Sequence, residues 1–185
     1  MSGKTKKITT PLTEEKLKDL EAGDTVYISG TIYTGRDAAH QRLIDTLQRG
    51  EALPVDLKDQ IIYYVGPAPA KPGQIIGSAG PTTSYRMDDL TVQLLELGLN
   101  GMIGKGSRGE KVIEGMKEHG AVYFAAIGGA GALIADSIKE CEIVAYEDLG
   151  PEAIRKLNVE DFPVIVVIDS KGNNLYVSER EKYRR

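Results

Sequence analysis

From Gly98 onward the sequence alternates short apolar runs with stretches whose apolar residues recur at helical spacing. Residues 102–103 predict a strand, 112–119 a helix closed by Gly120, 121–127 a strand and 130–139 a helix. Residues 143–146 predict a further strand, 152–157 a brief helical turn and 164–168 a strongly apolar strand. Turn residues at 169–174 lead into a last short strand at 175–177. Strands separated by helices pair in parallel, so this alternation implies a parallel sheet with at least one face covered by helices.

The first half is less regular. Thr13 is placed to cap a short helix that stops near Gly23, with Leu12 and Leu17 as a hydrophobic staple. Residues 25–34 predict a strand interrupted at Ser29 and Gly30, and Asp37 caps a predicted helix ending at Gly50. The proline-rich span 53–74 contains the apolar run 61–65, read as a strand followed by a loop; Ile75 and Ile76 predict another short strand. Asp88 caps a predicted helix towards Gly98, with Leu90, Leu94 and Leu97 on one stripe. No repeat or linker divides the 185 residues. The expectation is one domain over 12–179, between a flexible N-terminal tail at 1–11 and a basic C-terminal tail at 180–185.

A net charge of −4 and a pI near 5.3 argue against a nucleic-acid surface, although a few cations can still bind a small anion inside an acidic protein. No apolar run is long enough for a membrane span, and the N-terminus lacks a signal-type apolar core. With Cys141 as the sole cysteine, no internal disulfide is possible, and the cytoplasm is the expected compartment. The same count leaves the chain unable to supply the cysteines of an iron–sulfur cluster. His40 and His119 are far apart, and no HExxH or CxxC spacing occurs, which argues against a zinc site built by this chain alone.

Three strand-to-helix junctions each carry a cation. Residues 80–88 read GPTTSYRMD, which sets the hydroxyls of Thr82 and Thr83 beside Arg86 in a loop bounded by glycine and proline. Hydroxyls, backbone N–H groups and a guanidinium together suit a carboxylate; a capped turn with solvated polar residues is the plainer alternative. TGRD at 34–37 places Arg36 at a comparable junction, and GKGSRG at 104–109 supplies Lys105. In an α/β sheet, ligands collect at the carboxyl ends of the strands, so these three cations would make a pocket for a ligand with two carboxylates.

GKGSRG also matches GxGxxG by letter. However, the acidic residue expected about 20 positions on is missing, and the loop reads better as a flexible holder for Lys105. GGAGA at 128–132 lacks the lysine and hydroxyl of a phosphate loop and reads as small residues permitting close packing. His40, one helical turn from Arg36, could point at the same site but reads as structural; Asp37 reads as the helix cap with orienting Arg36 as an added role, and Glu147 and Asp148 read as structural with organising the site edge as the alternative. A non-catalytic module binding a small anion or nucleotide through its glycine loops is the reading from another functional class.

TGRDAAH, YYVGPAP, KPGQIIGSAGPTTSYRMD, IGKG, VYFAAIGGAGALIA, AYEDLG and VEDFPVIVVID occur in that order. Together they resemble the β subunit, or C-terminal domain, of class I fumarate hydratases and the similar L-tartrate dehydratases. The resemblance covers the chain from about Leu12. It implies an α/β fold of the swivelling β/β/α type, with a parallel central sheet in three layers, helices on one side and an antiparallel sheet on the other. It implies a hydro-lyase that hydrates fumarate to L-malate or, in the tartrate branch, removes water from tartrate to give oxaloacetate. A [4Fe–4S] cluster would be ligated by a separate α subunit, in an assembly with two copies of each chain, and no metal would be held by this chain. Arg36, Arg86 and Lys105 would bind substrate carboxylates with Thr82 and Thr83 beside them, and Thr82 would take the C3 proton of malate. Thr83 and Ser84 offer the same chemistry, so a relay through one of them, or a base from the partner chain, stays open.

Overall fold

The computed structural model describes residues 3–126 and 131–182. In chain order its elements begin with β1 (Thr5–Thr9), α1 (Glu14–Lys18), β2 (Thr25–Thr34), α2 (Asp37–Gln48) and β3 (Ile61–Tyr63). A 3-10 turn (Ser84–Met87) leads into α3 (Asp88–Glu96), followed by β4 (Gly101–Gly104), α4 (Glu110–His119), β5 (Val122–Ala126) and α5 (Gly131–Asp136). The chain continues through β6 (Ile138–Ala145), a second 3-10 segment (Glu147–Glu152), β7 (Ile154–Ile168) and α6 (Leu175–Lys182).

The strands form a seven-stranded mixed sheet in the order β1-β2-β3-β4-β5-β7-β6, with β2 also paired to β7. β2, β3, β4, β5 and β7 therefore close a circuit of pairings. β1 extends it beside β2 and β6 extends it beside β7. The β2-β3, β3-β4 and β4-β5 pairs are parallel. β7 runs antiparallel to β2, from Thr25 opposite Ile165 to Tyr33 opposite Lys156, with an irregularity between Ile28 and Gly30. The expected interruption at Ser29 and Gly30 is thus a bulge within one continuous strand.

Strand side chains alternate between faces, and both faces of β3–β5 are buried, which is why 61–65 reads as an unbroken apolar run. Ile61, Tyr63, Ile103 and Phe124 pack in one cluster with Val26 and Ile28 of β2 and Phe162 and Val164 of β7. Ile62, Tyr64, Met102 and Tyr123 pack in a second cluster with Leu43 of α2, Leu94 of α3 and Met116 of α4. The rings of Tyr63 and Phe162 meet edge to face at 5.2 Å. The chain thus places helices against one face of the parallel strands and the β2–β7 ribbon against the other.

Several expectations change. Residues 5–9, assigned to a flexible tail, form β1 in parallel register with Thr25–Ser29. An edge strand needs only backbone partners on one side, so a basic sequence is compatible with it, and Lys6 pairs with the buried Asp24 at 2.7 Å. Ile75 and Ile76 form no strand, and Ile75 stays 53% exposed. The helix expected over 130–139 stops at Asp136, and β6 starts at Ile138. The turn expected at 152–157 is the start of β7, which is flanked there by β2 and β6; pairing on both edges overrides local helical spacing. The 164–168 strand is antiparallel to its neighbours. Residues 175–177 are helical because Asn174 Oδ1 accepts the Tyr176 N–H at 3.0 Å, an N-cap contact. Of the C-terminal tail, residues up to 182 lie in α6, and 183–185 lie outside the described residues.

Arg108 locks the helical layer to the sheet. Its side chain is fully buried, and Nε donates to Asp88 Oδ1 at 2.7 Å. Nη1 donates to the Tyr64 hydroxyl at 3.0 Å and Nη2 to Thr91 Oγ1 at 2.9 Å. The guanidinium also lies 5.3 Å from the ring centroids of both Tyr64 and Tyr123. Arg108→Met should keep the volume but strand the Asp88 carboxylate, lowering stability by about 3 kcal/mol in denaturant unfolding. Arg108→Lys should fail to restore it, because an ammonium cannot reproduce the planar fork of donors.

Candidate functional site

β2, β3 and β4 are adjacent and parallel, so their carboxyl ends open onto one rim. Arg36 follows β2, and Lys105 follows β4. The loop carrying Thr82, Thr83 and Arg86 is drawn to the same rim by backbone bonds. Thr82 N–H donates to Tyr64 O at 2.7 Å, and Ser84 N–H donates to Lys105 O at 2.9 Å. Thr83 and Lys105 form an isolated parallel bridge, and the buried Tyr63 hydroxyl donates to Ala79 O. Burial pushes the Tyr63 phenol up, so it stays a protonated donor.

The three hydroxyls of this loop are not equivalent. Ser84 is fully buried and its hydroxyl contacts Tyr123 Oη at 2.9 Å, while Tyr123 Oη donates onward to Gly106 O at 2.9 Å. Ser84 is therefore spent on positioning, whereas Thr82 and Thr83 are half-buried at the rim. Gly104 leaves the room for this arrangement, since a Cβ there would overlap Ser84 Oγ and lie 2.9 Å from Tyr64 Cδ2.

Two carboxylates organise the arginines. Asp37 is the first residue of α2 and makes no cap contact, contrary to expectation. Its Oδ1 instead accepts from Arg86 Nε at 3.0 Å, and its Oδ2 lies 3.9 Å from Arg36 Nε. Arg36 Nε also lies 3.3 Å from Glu152 Oε1. The first contact of Arg36 is too long for a hydrogen bond and the second is not aligned as one, so Arg36 Nε and Asp37 Oδ2 are buried polar atoms without one. Gly66 gives the guanidinium space, since a Cβ there would meet Arg36 Nη1 at 2.8 Å. Lys105 is exposed and has no ion pair among the described residues.

Asp88 is the first residue of α3, and its side chain does not cap that helix. Its Oδ2 accepts the Gly109 N–H at 2.6 Å, at the start of α4. A carboxylate thus already sits at the helix start where a phosphate would sit in a nucleotide loop, which argues against that reading of GKGSRG. Residues 128–130 of GGAGA lie outside the described residues. Gly131 lies close to the backbone of Gly80, 3.1 Å from its N to a would-be Cβ, as a close-packing role requires. Arg108 and Tyr64 escaped the sequence reading, because Arg108's partners lie 17 to 44 positions away with no periodic signal.

His40 is fully buried; its Nδ1–H faces Arg36 O at 2.9 Å, and its ring meets that of Tyr64 at 5.3 Å. Burial lowers its pKa to about 4, so the ring is neutral near pH 7, and its Nε2 is buried without a hydrogen-bond partner. A neutral buried ring stabilises the fold above the ordinary imidazole value, and that stability is lost as pH falls from 6.5 towards about 4. His40→Gln should therefore be less acid-sensitive than the unmodified protein, the difference approaching on the order of 3 kcal/mol in unfolding measured across that window. Gly104→Ala should displace Ser84 and weaken anion binding at the rim, read by titration with a dicarboxylate.

Residues 2–179 match the fumarase C-terminus family. The chain is 43% identical over 170 residues to the aerobic class I fumarate hydratase of Salmonella typhimurium, covering 90% of this chain and 29% of that protein. It is 41% identical over 165 residues to fumarate hydratase 2 of Leishmania major, covering 88% of this chain and again 29% of the relative. It is 41% identical over 177 residues to a Methanocaldococcus jannaschii protein named, provisionally, as L(+)-tartrate dehydratase subunit beta, covering 92% of this chain and 91% of that one. The chain thus spans less than a third of these fumarate hydratases but nearly all of the separate subunit. A match across 2–179 and a relative aligned almost end to end establish that the chain belongs to the fumarase C-terminus family.

Proposed function

We propose that this chain is the β half of an iron–sulfur hydro-lyase for C4 dicarboxylates, interconverting fumarate and L-malate. The observation that carries the reading is the convergence of Arg36, Arg86 and Lys105 with Thr82 and Thr83 on one rim, in a chain that matches a separate β subunit over nearly its whole length. Burial of both faces of β3–β5 supports a swivelling β/β/α arrangement for the fold. Tartrate is the second reading, favoured by the name of that β-subunit relative.

Among the described residues, no group of three or more His, Cys, Asp or Glu is placed to hold a metal. Cys141, the sole cysteine, is half-buried on β6 with its thiol pushed up by burial. These residues do not fit the [4Fe–4S] cluster that the family implies, so its ligands are assigned to an α partner in an assembly with two copies of each chain. No helix among the described residues is long and apolar enough to cross a membrane, which fits the proposed cytoplasmic setting.

The chain's own contribution is charge and a proton acceptor. Arg36 and Arg86 offer planar donors that match carboxylates, while Lys105 adds a mobile point charge. The C3 proton of malate is poorly acidic, and removing it builds negative charge beside a carboxylate, which these cations stabilise. Thr82 takes that proton as an alkoxide held by the same cations, since a neutral hydroxyl is too weak a base. The Ser84 hydroxyl is turned inward, which favours Thr82 or Thr83 over Ser84; the family resemblance implies Thr82, with a base from the partner chain as the alternative. The hydroxyl departs as water, for which the cluster assigned to the partner would supply Lewis acidity.

Co-expression with its α partner and anaerobic assay on malate and on tartrate tests the assignment and separates the substrates. Full turnover by this chain alone would sink it. Thr82→Ala should lower kcat by about a hundredfold or more with little change in KM. An unchanged kcat would move the proton transfer elsewhere.

A further inference from the structure

We infer that Asp37 is a positioning residue that sets the spacing of the two arginines and so makes the site select ligands with two carboxylates; this rests on the dicarboxylate reading above. The carboxylate stands between them, with Oδ1 on Arg86 Nε at 3.0 Å and Oδ2 3.9 Å from Arg36 Nε. Both contacts use the Nε edge of a guanidinium. No side-chain hydrogen bond of Arg36, and none of the Arg86 Nη groups, is made among the described residues, so the terminal N–H groups are left for a ligand.

Glu152 fixes Arg36 from the other side, its Oε1 lying 3.3 Å from the same Nε. Two carboxylates, Asp37 and Glu152, thus restrain a guanidinium that could otherwise swing about its long stem. Gly66 leaves room for the Arg36 guanidinium, because a Cβ there would meet Nη1 at 2.8 Å. Asp37 itself cannot swing freely, since it is the first residue of α2 and the helix backbone fixes its Cβ direction.

Asp37 Oδ2 and Arg36 Nε are buried and 3.9 Å apart, too far for a hydrogen bond. Asp37 and Glu152 also offset part of the positive charge of Arg36 and Arg86. If offsetting charge were their whole role, removing one would tighten anion binding. If spacing is the role, removing one weakens ligands that must reach both arginines and leaves ligands that need only one.

The test uses the enzyme assembled with its partner and compares inhibition by succinate, with two carboxylates, and butyrate, with one. Asp37→Asn keeps size and helix start but loses the charge. Its inhibition constant for succinate and its KM for the C4 substrate should each rise about tenfold, with butyrate inhibition within about twofold, a split that general structural damage would not produce. Thermal unfolding of the assembled variant controls for folding. Should Asp37→Asn fail to assemble, Glu152→Gln reads the same spacing through Arg36 and should show the same split. Equal weakening of both inhibitors, no change in either, or tighter succinate binding overturns the inference. An unmodified enzyme that neither turns over nor is inhibited by C4 dicarboxylates overturns the proposed function itself, and the inference with it.

Discussion

The buried guanidinium of Arg108 is the interaction on which the rest of the site depends. Taking a guanidinium out of water costs several kcal/mol unless its donors are filled, so its partners are held at defined positions. Those partners are Asp88 and Thr91 on α3 and Tyr64 just past β3, three points remote from Arg108 in sequence. Asp88 follows the turn that carries Arg86, and its second oxygen holds the start of α4. One buried charge therefore sets the loop bearing the threonines against the loop bearing Lys105.

The circuit of strands supplies the platform for that lock. Because β2 and β7 pair along most of their lengths, β3–β5 are covered on one face by a ribbon and on the other by helices. Only the ends of these parallel strands remain open. Side chains placed just after β2 and β4, and the loop bonded to Tyr64 just after β3, share one rim whatever their distance in sequence. The hydrogen-bond chain from Ser84 through Tyr123 to the Gly106 carbonyl turns one candidate base inward, while Thr82 and Thr83 stay half-buried.

Charge at the rim is unevenly neutralised. Arg36 and Arg86 are braced by Asp37 and Glu152, while Lys105 has no carboxylate partner among the described residues. In the proposed function, braced planar donors beside an exposed point charge would suit a dianion. An overall charge of −4 does not oppose this, because the local field is set by groups within a few ångströms.

Periodicity and junction chemistry determined much by themselves. The helical stripes of α2, α3 and α4, the apolar strands β3–β5 and the cations at the junctions were legible because each depends on residues within a few positions of one another. The tertiary structure alone decided the rest. β1 exists because β2 offers it an edge, and 154–157 is strand because β2 and β6 flank it. Asp37 and Asp88 have the composition of helix caps, but each finds an arginine 49 or 20 residues away. A carboxylate near a helix start has a modest local gain from capping and a larger one from a close guanidinium. Which it takes depends on what the fold brings within reach, and no local pattern encodes that.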